Sequence, residues 1–175
     1  MSSLLISIFC PDRTGLVAAI TGRLFEIGAN LGDTSFSMLG AGAEFSTICD
    51  VPEELEPTEI EADLAALPLL AGARVSVQRF ELNADHGPAG RITHRVAVTG
   101  GDRPGLIARL SEVFGEFRAN IVRMDAQHYP EQGLYVTRFA VSIPERVESC
   151  LATIGNTAGE LNLSVHFEEA GGSAL

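Results

Sequence analysis

The sequence predicts an α+β fold that is built twice, as two tandem βαββαβ domains whose antiparallel sheets carry helices on one face. Three observations lead to this prediction: an internal repeat, an apolar periodicity that switches between strand and helix values, and turn signals at matching places in both halves. The chain has 175 residues, a length that suffices for two small domains.

The repeat is clearest between residues 12–31 and residues 102–121. The first segment reads DRTGLVAAITGRLFEIGANL and the second reads DRPGLIARLSEVFGEFRANI. At a fixed offset of 90 and without gaps, eight of the twenty positions are identical, against roughly one expected from average residue frequencies. This similarity indicates a duplication, so both halves should share one fold.

The first half of each copy combines a strand, a turn and a helix. An apolar strand, Leu4–Cys10 or Thr93–Thr99, precedes a DR-x-GL turn and an amphipathic helix. The apolar positions of the helix share one face: Leu16, Ile20, Leu24 and Ile27 in the first copy, and Leu106, Leu110, Phe114 and Phe117 in the second. We predict Asp12 and Asp102 as the N-cap residues, with Pro104 inside the first turn of its helix.

The second half of each copy reads as a hairpin, a second helix and a closing strand. Hairpin turns are predicted at 39–44 and 129–134, where the sequence reads LGAGAE and YPEQGL. The second helices should begin near Pro57 and near Pro144. Their predicted buried stripes are Ile60, Leu64 and Leu67, and Val147, Leu151 and Ile154.

Closing strands are predicted at 75–82 and 161–168, and the polar, turn-rich segment 83–90 should link the copies. The resulting domains span residues 1–84 and 91–170. Because each has the order βαββαβ, we expect two ferredoxin-like domains.

Composition argues against several classes of protein. No run of 18 apolar residues occurs, so we expect no membrane-spanning helix, and the short apolar N-terminus lacks the basic region of a signal peptide. The net charge is −11, and the twelve basic residues are all scattered arginines. Direct binding to nucleic acid is therefore not expected, because it needs clustered positive charge.

Cysteine usage and the absence of reactive motifs bear on compartment and chemistry. The odd set Cys10, Cys49 and Cys150 is widely spaced, which suits buried thiols in a reducing cytosol, and we expect a cytoplasmic protein. We find no nucleophile–base pair, no phosphate-binding motif and no Cys/His cluster with metal-ligand spacing. The prediction is a protein that is not an enzyme and has no catalytic residue, cofactor or metal site.

The two DR-x-GL segments resemble the first turn and helix of the ACT domain, a regulatory module of amino-acid metabolism. The resemblance extends from about Leu4 to Glu168. A tandem pair of this length is similar to the glycine cleavage system transcriptional repressor group. That resemblance implies a regulator of transcription that acts through a protein partner such as a transcription factor.

The resemblance also implies a ligand site. In ligand-binding ACT domains, the effector lies where the loop after the first strand of one domain faces the start of the second strand of a neighbour. The implied ligand residues are Asp12, Gly15, Leu16 and Asn30 in the first copy, and Asp102, Gly105, Leu106 and Asn120 in the second. Amides at a helix start can receive a carboxylate, and Asp or Asn side chains can hold an ammonium group. An amino acid, with glycine or serine as first candidates, is the expected ligand.

Structural roles remain open for the same residues. The aspartates could be helix caps without any ligand role. In the same way, the glycines could simply permit close packing of helix on strand, and the asparagines could simply end their helices. For the whole protein, two alternatives stand beside a sensor: a ligand-free interaction adaptor, and a detached regulatory subunit of a metabolic enzyme. Free sheet edges would also allow a homodimer.

Overall fold

The duplication is visible as two four-stranded sheets whose strand pairs are all antiparallel. The computed structural model describes residues 1–171. The chain divides into a first unit of residues 1–82 and a second unit that begins at residue 83. Each unit has the order βαββαβ, so the prediction of two tandem ferredoxin-like folds is confirmed.

The first unit has the sheet order β2-β3-β1-β4. Its elements are β1 (Ser2–Pro11), α1 (Leu16–Glu26), β2 (Asn30–Leu39), β3 (Gly42–Val51), α2 (Pro57–Ala65) and β4 (Arg74–Arg79). A 3-10 turn at Pro68–Leu70 lies between α2 and β4. The central strands β1 and β3 are buried at alternate positions, because only one face of the sheet is covered by helices.

The second unit repeats this arrangement with the sheet order β6-β7-β5-β8. Its elements are β5 (His94–Gly100), α3 (Leu106–Glu116), β6 (Asn120–Tyr129), β7 (Leu134–Ser142), α4 (Val147–Glu160) and β8 (Ser164–Glu169). Within residues 1–171, no helix is long and apolar enough to cross a membrane.

The predicted apolar face of the first helix in each unit is confirmed except at its last position, because Ile27 and Phe117 follow the helix ends and are only partly buried. Leu16, Ile20 and Leu24 are each at most 2% exposed and pack into the core of the first unit. Leu106 and Phe114 are equally buried in a separate core of the second unit. Each unit therefore has its own hydrophobic core, as expected of domains that fold around separate centres.

The two cores place their large aromatic residue in different layers. Ile8 and Val98 are equivalent positions at the repeat offset of 90, and Ile8 pairs with Phe45 while Val98 pairs with Thr137. Phe45 and Thr47 of β3 therefore correspond to Thr137 and Phe139 of β7. All four side chains are at most 2% exposed. The phenyl ring has thus exchanged places with a threonine between the copies, so the repeated fold is packed in two ways.

The prediction that Asp12 and Asp102 are N-caps is wrong. Helix α1 begins at Leu16 with Gly15 as its N-cap residue, and α3 begins at Leu106 with Gly105 as its N-cap, in both cases without a capping side chain. The two glycines have φ of 92° and 80°. Left-handed backbone of this kind favours glycine. In each unit, this glycine lies three residues after the aspartate and ends the loop.

Three details of the helix predictions also need correction. Pro104 precedes α3 rather than lying in its first turn. Helix α4 begins at Val147, three residues after Pro144. The core positions of α4 are therefore Cys150, Ile154 and Ala158, whereas the predicted Val147 and Leu151 are only half-buried beside them. In α2, Leu67 lies beyond the helix end at Ala65.

Part of the predicted linker packs on the second unit. Residues Pro88–Gly90 form a 3-10 turn, and the side-chain amide of Asn120 donates a hydrogen bond to the carbonyl oxygen of Ala89 at 2.8 Å. The ordered part of the second unit therefore includes residues before 91.

Candidate functional site

The loop between β1 and α1 is fixed by hydrogen bonds from its first two residues to other elements. The Asp12 amide donates to the carbonyl oxygen of Ala41, in the β2–β3 turn, at 2.9 Å. The Arg13 guanidinium donates to the carbonyl oxygens of Leu69 at 2.8 Å and Ala71 at 3.2 Å. These bonds hold the start of α1 between the hairpin turn and the chain segment before β4.

The first turn of α1 leaves backbone donors open. The Leu16 amide donates to the Arg13 carbonyl at 3.3 Å. The next two amides, of Val17 and Ala18, lie in the first turn, where backbone N–H groups have no carbonyl acceptor within the helix. No side chain caps this helix start. Together with the positive end of the helix dipole, such amides favour a bound carboxylate.

A shallow cavity of about 260 Å³ lies at this helix start, lined by residues 12–18 and Phe36. The Asp12 side chain is exposed, and within residues 1–171 its carboxylate has no hydrogen-bond or ion-pair partner. The cavity therefore combines open amide donors with a free carboxylate. This pair of groups complements the carboxylate and ammonium ends of a free amino acid.

The remaining loop residues have narrower roles than the resemblance implied. The side chains of Leu16 and Leu106 are 2% exposed and belong to the cores, so only their backbone faces the helix start. A Cβ on Gly15 would meet nothing closer than Leu69 at 3.8 Å, and one on Gly105 would meet nothing within 4 Å. Close packing is therefore not the reason for glycine; the positive φ is.

The corresponding loop of the second unit is built differently. Asp102 is exposed and Gly105 repeats the left-handed N-cap. However, Arg103 is exposed and makes no counterpart of the Arg13 bonds among the described residues. Gly100 and Gly101 replace Cys10 and Pro11 before the aspartate. The second loop thus has the same helix start without the same anchoring.

The structure places Asn30 and Asn120 at the other end of their sheets. Asn30 pairs with Asp50, which pairs with Ser3 near the start of β1, whereas Asp12 follows the end of that strand. At 3.3 Å per residue the two ends are roughly 25 Å apart. Asp12, Gly15 and Leu16 are thus brought together within one unit and Asn30 is not, so its role opposite a neighbouring domain's loop stays a prediction.

Two contributors to this site were not predicted from the sequence. Arg13 is absent from the residues that the resemblance implied, although it stands two residues before Gly15, as Arg103 does before Gly105. Phe36 lines the cavity from β2 and is 43% exposed. Its signal was its position directly opposite Phe45 in the hairpin, where strand alternation puts it on the helix-bearing face.

Cys10, at the end of β1, is not poised to react. Its side chain is 4% exposed, and burial raises the pKa of its thiol despite the opposing effect of Arg13. The pKa of Cys49 is raised to about 11 for the same reason. All three cysteines are free and buried, as expected of structural thiols.

Comparisons with known proteins agree with this architecture. Residues 2–78 match the family model of the ACT domain. A solved structure described as an unknown protein from Galdieria sulphuraria superposes with a TM-score of 0.68 at 19% identity, covering 97% of this chain and 98% of that chain. A structure described as "putative glycine cleavage system transcriptional repressor" gives a TM-score of 0.68 at 17% identity, with the same coverage. No curated protein matches the sequence. These likenesses establish a shared fold over both units.

Proposed function

Because the first unit of this chain is an ACT domain and the second repeats its fold, we propose that the protein is a regulatory sensor of a free amino acid. ACT domains are regulatory modules that commonly bind amino acids and associate with one another. In this proposal the ligand binds at the start of α1, and the protein acts in the cytoplasm on transcription through a protein partner. Glycine and serine are the first candidate ligands, since the cavity is small.

The observation that carries the proposal is the uncapped start of α1 beside the free Asp12 carboxylate. The ligand carboxylate accepts hydrogen bonds from the amides of Val17 and Ala18. The ligand ammonium pairs with Asp12. Phe36 forms the wall against which a side chain of the ligand packs, so a bulky ligand side chain is disfavoured.

The anchors of the loop give the ligand a way to act beyond its own cavity. Asp12 is tied to the β2–β3 turn and Arg13 to the segment before β4. A ligand that fixes this loop therefore also stabilises the two segments that the loop contacts, the β2–β3 turn and the chain before β4. It changes regulation only if it binds one arrangement of the protein more tightly than another, and the partner then reads that arrangement.

Calorimetric titration of the twenty amino acids into the full chain tests the proposal. We expect millimolar or tighter binding of a small amino acid. The Asp12→Ala variant should weaken that binding by about tenfold or more, since a charge-assisted hydrogen bond is lost. The matched control is Asp85→Ala, an exposed aspartate outside the loop, which should bind as the unaltered chain does.

The Asp12→Ala variant should fold normally, because the removed carboxylate has no partner in the described chain. The same titration of Asp102→Ala reports whether the second loop also binds. If none of the twenty amino acids gives heat or raises the melting temperature at millimolar concentration, the sensor proposal is wrong.

One observation favours a second candidate, a ligand-free adaptor that binds a protein through the edge of the first sheet. Strand β2 lies at that edge, and Phe36, Met38 and Leu39 are 43%, 59% and 54% exposed. Open strand edges with exposed apolar side chains readily pair with another chain. Met38→Lys would then abolish partner binding without changing amino-acid titrations, whereas Asp12→Ala would leave partner binding unchanged.

A further inference from the structure

The helix-free face of the second sheet contains a cavity that is separate from the proposed amino-acid site. Its volume is about 410 Å³, and every residue that lines it belongs to the second unit. This volume lies within the range of pockets that hold small molecules. Three of the twelve arginines of the chain line it: Arg95, Arg123 and Arg138.

The strand register explains why this face is concave. Across β6, β7 and β5, Ala140 lies between Arg123 and Arg95. In the neighbouring row, Ala97 lies between Arg138 and His166. Two alanines thus form a low floor, and longer basic side chains stand on either side of them. We call this set of three arginines over Ala97 and Ala140 the arginine groove.

Two of the three arginines have no counter-charge within bonding distance. Among residues 1–171, neither Arg95 nor Arg123 makes an ion pair or hydrogen bond. Arg138 is paired with Asp125 at 3.0 Å. Glu168 pairs with Arg95 in the strand register but lies outside ion-pair distance. The groove retains two open guanidinium groups, each able to bind an oxyanion through two N–H donors.

The fold itself does not require this chemistry, as the first unit shows. The positions in the first sheet that correspond to Arg95, Arg123 and Arg138 are Leu5, Asp33 and Ser46. The first unit forms the same sheet with none of these positive charges. The arginines are therefore specific to the second unit, and their convergence over two small residues needs a reason other than stability.

We propose that the arginine groove binds a small oxyanion with at least two carboxylate or phosphate groups. Arg95 and Arg123 stand two strands apart, roughly 10 Å between their Cα atoms. Both side chains line the cavity on either side of Ala140, so two anionic groups of one ligand can each engage one guanidinium. Asp125 holds Arg138 at the side of the groove and disfavours ligands with bulky anionic groups there.

A small anion fits the charges better than a long polyanion does. The chain carries a net charge of −11, which repels nucleic acid over distances comparable to the Debye length. A small ligand experiences mainly the local field of the groove. The inference does not depend on the amino-acid site, since the two sites share no residue.

Calorimetric titrations with citrate and with pyrophosphate test the groove and separate its two ligand chemistries. We expect one of them to bind the full chain, with binding weakened about tenfold or more by Arg95→Gln and by Arg123→Gln. The matched control Arg109→Gln alters an exposed arginine of α3 and should leave the affinity unchanged. Ala140→Leu, which fills the floor without changing charge, should also abolish binding.

Preference for citrate identifies a polycarboxylate ligand, and preference for pyrophosphate a phosphorylated one. Circular dichroism of each variant verifies that the fold is intact. The proposal is overturned if neither anion binds at low ionic strength, or if Arg109→Gln weakens binding as much as Arg95→Gln does. Asp12→Ala separates this test from that of the amino-acid site, because it should leave anion binding unchanged.

Discussion

Two buried threonines, one in each unit, differ in the partners of their hydroxyl groups. The Thr47 hydroxyl contacts the Thr34 hydroxyl at 2.8 Å and donates to the carbonyl oxygen of Ile48 at 3.2 Å. The Thr137 hydroxyl is fully buried and has no partner among the described residues. A buried hydroxyl without a partner loses its hydration and gains nothing in return.

Replacing each threonine with valine should therefore have different effects on stability. Thr137→Val removes an unpaired hydroxyl at nearly constant volume, and we expect an unchanged or higher free energy of unfolding. Thr47→Val breaks the contact with Thr34 and should lower the free energy of unfolding by about 1 kcal/mol. Urea denaturation of both variants, each compared with the unaltered chain, measures the difference. Equal losses in both would contradict the assignment of Thr137 as unpaired.

At the scale of elements, one ion pair joins the two helices of the first unit. The Arg23 guanidinium of α1 contacts the Asp63 carboxylate of α2 and also Glu26 at 2.8 Å. Hydrogen bonding to Arg23 lowers the pKa of Asp63, against a smaller opposing effect of desolvation. The pair is partly exposed, so its contribution to stability is modest.

The direction of that pKa change fixes how the pair responds to pH. The contribution of Asp63 is present above the ordinary aspartate pKa of about 3.9, and it is lost as the pH falls through the lower pKa of the folded state. Asp63→Asn should therefore lower the melting temperature at pH 7, and the difference from the unaltered chain should shrink below about pH 4. Glu26→Gln is the control on the same arginine, and its effect should be smaller because Glu26 is 64% exposed.

The elements were largely predictable because their signals are local. Alternation in β1 and β3, the helical spacing of Leu16, Ile20 and Leu24, and the glycines of the hairpin all act within a few residues. The predicted N-cap residues were wrong because aspartate is a common cap. The sequence does not reveal that a left-handed residue, Gly15, separates the aspartate from the first helical residue.

The sites were less predictable because they depend on register across strands. The arginine groove arises only when Arg95 and Arg123, 28 positions apart, are placed in one row by β7. Likewise, Arg13 reaches the carbonyl of Leu69 only after α2 has returned the chain to the end of β1. Sequence reasoning identified the loop at the start of α1, but not the elements that hold it.

At the scale of the whole molecule, separate cores predict that each unit folds alone. A fragment of residues 1–82 contains the complete first sheet and its core, and it should unfold cooperatively in urea. A fragment of residues 83–175 should be more stable than one of residues 91–175. The shorter fragment lacks Ala89, whose carbonyl oxygen accepts the hydrogen bond from the Asn120 amide.

Comparison of the two C-terminal fragments also locates the start of the second domain. Equal denaturation midpoints would show that residues 83–90 act as a mere linker, as the sequence predicted. A fragment that ends at residue 65, before β4, is the negative control for the first unit, because it lacks an edge strand paired with β1.

The exchange of Phe45 and Thr47 for Thr137 and Phe139 has a consequence for folding while the chain is being synthesised. Tandem domains with related sequences are prone to trade strands before either is finished. If β3 were inserted into the second sheet, Phe45 would occupy the layer of Thr137, and Thr47 would leave a hole beside Phe114, whose ring centroid lies 5.4 Å from that of Phe139. Crowding in one layer and a void in the next both destabilise the strand-exchanged sheet. The difference in packing therefore favours correct strand pairing within each domain during folding.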